Sequence, residues 1–173
     1  MILEGKVALV TGGSRGIGRQ VCLRLAAMGA VVGVNYVSNS SAAEQTIADI
    51  EQAGGKAFLA PFDVSDSTAV QAAVKEITAA QDGVDILVNN AGITRDGLMA
   101  RMNEEDWDQV LDTNLKSAFT CSKAVMRTMM KKRWGRIINM TSVVGFLGNA
   151  GQVNYAAAKA GMIGLTKSMA REL

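Results

Sequence analysis

Short runs of apolar and β-branched residues alternate with longer stretches of helical spacing along the whole chain, and that alternation leaves few folds open. Val7-Ala8-Leu9-Val10 reads as a buried strand, followed by a helix over residues 15–28 whose apolar face is Ile17, Val21, Leu25 and Met28. Residues 30–36 give a second strand and 40–53 a second helix, opened by serines able to cap it. A third strand covers 56–60, with the chain's one proline, Pro61, just after it, and Ser65 caps a helix running to about Gln81. Then come a fourth strand over 85–89, a long helix over about 103–133 in one piece or two, a fifth strand over 136–141, and a helix from about Gln152 onward. Ile86-Leu87-Val88 and Ile137-Ile138 are apolar at successive positions, which suits strands covered on both faces. With right-handed crossovers the pattern predicts an α/β fold, a doubly wound parallel sheet of strand order 3-2-1-4-5, within one domain over residues 1–173.

Composition removes several kinds of chemistry. The chain has no histidine, so Ser-His-Asp and Cys-His catalysis are excluded, and zinc lacks its commonest nitrogen ligand; no metal is expected. A net charge of +2 with no basic stripe argues against nucleic acid. No apolar run is long enough to span a bilayer, and the first residues do not read as a secretory leader. Cys22 and Cys121, both in predicted helices, fit small buried residues in a reducing compartment. A cytoplasmic location with no membrane partner is the expectation.

Between the first strand and first helix lies Thr11-Gly12-Gly13-Ser14-Arg15-Gly16-Ile17-Gly18. Its glycines allow a sharp turn and let a pyrophosphate approach a helix N-terminus, where free N–H groups and the helix dipole favour negative charge. The spacing is Gly-xxx-Gly-x-Gly, and a purely structural glycine turn is the competing reading. No Gly-Lys-Ser/Thr follows, which excludes a P-loop. The second strand ends Val34-Asn35-Tyr36-Val37-Ser38, without the acid that commonly holds the ribose hydroxyls of NAD. Arg15, otherwise an ordinary exposed loop arginine, has the guanidinium fork that suits a 2′-phosphate, so NADP(H) is favoured over NAD(H).

Tyr155 and Lys159 stand at i and i+4, on one face of the last helix, downstream of Ser142. Carbonyl reduction needs a proton donor for the developing oxyanion. A tyrosine titrates at about 10 when unperturbed, and a neighbouring ammonium favours its phenolate. A serine hydroxyl orients the carbonyl. Alone, such a pair is weak evidence, since most are solvated helix faces.

Taken together the motifs resemble the short-chain dehydrogenase/reductase family over essentially the whole chain. Thr11 to Gly18 is similar to its glycine loop, Asn89-Asn90-Ala91-Gly92 to its motif after the fourth strand, and Asn114 to its helix asparagine. Ser142, Tyr155 and Lys159 match its catalytic serine, tyrosine and lysine. The resemblance implies a Rossmann-like sheet, with Tyr155 as proton donor and Ser142 polarising the carbonyl. It implies that Lys159 binds the nicotinamide ribose and supports the tyrosine, and that Asn114 holds a relay water. Gly12, Gly13, Ser14, Arg15, Gly16, Ile17, Gly18, Asp63, Val64, Asn90, Ala91 and Gly92 would line the cofactor, with Tyr155 and Lys159 also touching it.

Three segments, residues 89–96, 129–133 and 154–161, resemble the 3-oxoacyl-[acyl-carrier-protein] reductase branch. That implies NADPH-dependent reduction of a 3-oxoacyl thioester to the 3-hydroxyacyl product in fatty-acid synthesis, with a homo-oligomer (dimer or tetramer) formed through the long helix and the Tyr155 helix. Arg127, Lys131, Lys132, Arg133 and Arg136 would meet an acidic carrier protein; their alternative is cations placed to suit a helix C-terminus. The family adds further strands, a proline-glycine segment and a lid after the catalytic helix. The chain is therefore expected to be incomplete at its C-terminus, with the fifth strand as an edge. An inert nucleotide-binding or oligomerising remnant, or a dehydrogenase of another alcohol or ketone, are the alternatives.

Overall fold

The computed structural model describes residues 1–173. Five strands, β1 (Val7–Val10), β2 (Val31–Tyr36), β3 (Lys56–Pro61), β4 (Ile86–Asn89) and β5 (Arg136–Asn139), form one parallel sheet of order β3-β2-β1-β4-β5. Seven helices connect and flank them: α1 (Gly16–Ala27), α2 (Ser40–Gln52), α3 (Ser67–Gln81), α4 (Glu104–Leu111), α5 (Ser117–Lys132), α6 (Val144–Leu147) and α7 (Val153–Glu172). No helix is long and apolar enough to cross a membrane.

Alternation along the strands sends side chains to two separate cores. Leu9 and Leu87 pack with Val70, Val74 and Ile77 of α3 and Cys121, Val125 and Met129 of α5. Ala8, Val10, Val32, Val34, Ile86 and Val88 face the other way, onto Cys22 and Ala26 of α1 and Ala43 and Ile50 of α2. The centre of the sheet is covered on both faces, as the apolar runs require. β5 differs. Ile138 stands beside Val88 in the register yet remains 46 % exposed, because the layer of α1 and α2 does not reach it.

Two expected helix starts shift, and a third helix, α2, begins at Ser40 as expected but on a different cap, each for a local reason. Asn39, and not a serine, caps α2 by accepting from Ala42 N at 3.0 Å. Asp66 caps α3 by accepting from Thr68 N and Ala69 N, while Ser65 turns its hydroxyl to Asp63. Such caps are worth about 1 kcal/mol each. α4 begins one residue later than expected, with Asn103 as its cap, accepting from Asp106 N at 2.7 Å. Pro61 is the last residue of β3 and not the first beyond it. Phe62 N donates to Tyr36 O, so the proline's missing N–H lies on the outer side of an edge strand. The long helix is divided: a π-helical turn over Asp112–Lys116 separates α4 from α5. A 3₁₀ turn, Met99–Arg101, and the short α6 were not expected from the spacing.

Candidate active site

β1 delivers the chain into the glycine loop at the C-terminal end of the sheet. Thr11, buried, donates its hydroxyl to Val88 O and accepts from Asn90 N and Ala91 N at 3.0 Å each. The Asn90 carboxamide donates to Thr11 O at 2.9 Å and Gly12 O at 3.2 Å. The glycine loop and the Asn90-Ala91-Gly92 turn are thereby joined. Gly18 must lack a side chain, since a Cβ there would collide with Gly12 O.

The N–H groups of Gly12 and Gly13 donate to Asn35, whereas those of residues 14–18 donate to no protein group. Successive unpaired donors at the start of an α-helix are the arrangement that accepts a phosphate, so the loop fits a dinucleotide's pyrophosphate. Arg15 beside them is exposed and its guanidinium makes neither an ion pair nor a hydrogen bond, while Arg19 is engaged by Asp49 of α2. Asp63 is exposed with its carboxylate turned onto Ser65, and the Val64 side chain is buried beside Leu9 and Val70. Ile17 is 65 % exposed on the outside of the loop.

The π turn holds Asn114, 1 % exposed. Its Nδ2 donates to Ile93 O and to Val110 O, both at 2.8 Å, while its Oδ1 is buried with no partner. Gly92 faces that oxygen with no room for a Cβ. A buried acceptor left open costs about 1–3 kcal/mol, and such an atom calls for a bound water or ligand. π turns recur at functional sites because the extra residue displaces a side chain from the helical register.

α7 carries Tyr155, half-buried, and Lys159, 4 % exposed. The Lys159 ammonium lies 5.6 Å from the centroid of the Tyr155 ring and donates to Met140 O at 2.7 Å. Burial holds that ammonium below the ordinary lysine range. Thr141 Oγ1 binds Lys159 O at 2.8 Å, tying α7 to the end of β5, and Ser142, half-buried, follows at once with Oγ accepting from Val144 N at 3.3 Å. Asn154 is fully buried; it accepts from Tyr155 N at 2.8 Å and donates to Arg95 O and Asp106 O, anchoring the first turn of α7.

Asn35 is thus a structural member of the site that the sequence did not single out, and Thr11 and Asn154, though inside motifs quoted above, had been given no role of their own. The only local signal for Asn154 was an amide at a helix start. The basic run also divides. Lys132 is committed to Asp85 and Asp82, and Arg136 lies 5.3 Å from the Trp134 ring, leaving Arg127, Lys131 and Arg133 exposed without ion pairs. Both cysteines are free and buried, and burial pushes each thiol up to about 12, so neither is a nucleophile.

A family profile described as short chain dehydrogenase matches residues 6–173. Among known proteins, the chain is 54 % identical over 173 residues to the 3-oxoacyl-[acyl-carrier-protein] reductase of Escherichia coli strain K12, covering all of this chain and 69 % of that protein. It is 58 % identical over the same span to the reductase of that name from Vibrio cholerae, again covering 69 % of the relative. The Staphylococcus aureus (strain Mu50) protein of that name is 51 % identical over 168 residues, covering 97 % of this chain and 68 % of that protein.

Proposed function

The chain belongs to the short chain dehydrogenase family, and from that premise we propose that it reduces a 3-oxoacyl thioester on acyl carrier protein to the 3-hydroxyacyl product of fatty-acid synthesis. The observation that carries the chemistry is the pairing on α7 of Tyr155 with a buried Lys159 ammonium 5.6 Å from its ring. Tyr155 gives its proton to the substrate's carbonyl oxygen, and the Lys159 cation favours the phenolate left behind. Ser142 hydrogen-bonds that oxygen and orients the carbonyl. Asn114 holds, at its open Oδ1, the water through which the proton is replaced.

The family works with a nicotinamide cofactor, which when bound supplies the hydride for the carbonyl carbon. The reading here is NADP(H). Its support is the unpaired Arg15 beside the free N–H groups of residues 14–18, together with the absence of any acid at residues 36–38. Gly12 to Gly18 and Asn90 to Gly92 hold the pyrophosphate and nicotinamide side, Asp63 and Val64 flank the adenine, and Tyr155 and Lys159 touch the nicotinamide ribose. An acidic carrier protein docks on the exposed Arg127, Lys131 and Arg133. Self-association through α5 and α7 and a cytoplasmic location complete the reading; Phe119 and Met130 of α5 are exposed.

The test is NADPH consumption by the purified chain with a 3-oxoacyl thioester. Tyr155→Phe is expected to lower kcat by about 10²–10⁴-fold while NADPH still binds. A folded chain that binds NADPH but turns over no thioester, or prefers an unrelated ketone, overturns this assignment.

A further inference from the structure

Asn35 sits on β2 with its side chain 1 % exposed beneath the glycine loop. Its carboxamide is consumed by main-chain groups from two distant segments. Oδ1 accepts from Gly12 N at 3.0 Å, and Nδ2 donates to Ala60 O at 3.0 Å and Phe62 O at 2.9 Å. An N–H only donates and a carbonyl only accepts, so these partners fix the orientation of the amide. The Asn35 main-chain carbonyl also accepts from Gly13 N at 2.8 Å. One residue therefore fastens the first turn of the glycine loop, β2 and the exit of β3, from which the chain continues into Asp63 and Val64. The arrangement also engages the Gly12 and Gly13 donors, so that in this loop those of residues 14–18 alone are left without a protein partner.

We propose that Asn35 is a positioning residue for the cofactor: it couples the loop under the pyrophosphate to the β3 exit beside the adenine, presetting the distance between the two subsites. The proposal rests on the NADP(H) reading above. A ligand touching both subsites gains from their fixed spacing, because no ordering cost falls due on binding, whereas a ligand touching one gains little. A fully satisfied buried amide is suited to this, since it specifies one geometry where an apolar residue of equal volume permits several.

Asn35→Leu removes all three side-chain bonds at similar volume and adds no charge; Asn35→Ser, too short to reach both Gly12 N and the β3 carbonyls, replaces it if it does not fold. The experiment measures dissociation constants of NADPH and of reduced nicotinamide mononucleotide, whose phosphate reaches the loop but which has no adenine, by calorimetry, together with hydrogen exchange at the Gly12 amide without ligand. In Asn35→Leu the NADPH constant is expected to rise about tenfold, the loss of roughly one net hydrogen-bond coupling. The mononucleotide constant should rise by less than about threefold, and the KM for NADPH should rise far more than kcat at saturating NADPH falls. Gly12 protection should be lost. NADPH binding equal to wild type, or equal weakening of NADPH and the mononucleotide, overturns the coupling alone. A wild-type chain that binds no NADPH overturns the cofactor reading, and the coupling with it.

Discussion

The two ends of the sheet differ in the hydrogen-bonding capacity they leave unpaired. At the N-terminal ends of the strands, Asp85 is 3 % exposed, accepts from Val7 N at 2.9 Å and pairs with Lys132 at 3.3 Å. Lys132 also reaches Asp82 at 3.4 Å, and Trp134 lies beneath Lys6 Nζ at 4.0 Å. At the C-terminal ends, Asn114 Oδ1 has no partner, five successive loop N–H groups have none, and the Lys159 ammonium makes a single hydrogen bond. The two lysines record the contrast. Burial pulls Lys132 down, but the Asp85 and Asp82 carboxylates outweigh it and hold it above the ordinary range. Lys159 has no carboxylate beside it, and burial holds it below. One end is closed on itself as a scaffold, and the other keeps unmet hydrogen-bonding capacity where the strand ends of a doubly wound sheet open a crevice for ligands.

Substitutions at the two ends should separate along this line. Asn114→Leu is expected to show the largest effect, a fall in kcat of about 10²-fold for loss of the relay water, with only a modest shift in melting temperature. Steady-state kinetics beside thermal melting checks it, and a variant that unfolds while its folded fraction keeps full kcat would erase the contrast. Lys132→Met should do the reverse. Leaving the buried Asp85 without its cation should lower stability by about 1–3 kcal/mol in urea unfolding, with activity per folded molecule unchanged. The smallest effect is in pH dependence. For Lys159 the unfolded chain binds more protons between the lowered folded value and 10.5, so its burial cost is complete below that window and fades as pH rises. Lys132, raised when folded, contributes stability that is present below 10.5 and is lost as pH rises through its folded value. Against wild type, the melting temperature of Lys159→Met should therefore fall behind as pH climbs through the alkaline range, and that of Lys132→Met should catch up. Parallel curves would mean that the two ends are electrostatically alike.

Much of the fold was legible because its signals are local. Successive apolar residues in 7–10 and 86–88 require a strand covered twice, and the observed order β3-β2-β1-β4-β5 follows from right-handed crossovers. Helix starts were less so. Residues 38–41 and 65–67 each offer several capping side chains in a row, and the path of the chain selects Asn39 and Asp66. The π turn at 112–116 left no mark on the spacing, since one displaced residue in a long amphipathic stretch preserves its apolar face on either side. Ile137-Ile138 suggested coverage on both faces, but coverage depends on how far a neighbouring layer extends, and Ile138 lies beyond it. The basic run looked like one patch until Lys132 turned to the acids at the base of β4.

By itself the sequence determined the order of the elements, the parallel sheet, and the placing of the glycine loop and of Ser142, Tyr155 and Lys159 at the ends of strands or starts of helices. Those follow from periodicity and turn chemistry, which act over a few neighbouring residues. Only the tertiary structure decided which polar groups are satisfied and which are left open. Asn35 meets Gly12 across 23 residues, Asn114 meets Ile93 across 21, and Lys132 meets Asp85 across 47. Hydrogen bonds and ion pairs depend on separations of about 3 Å in space, and the packing of helices on the sheet sets those separations.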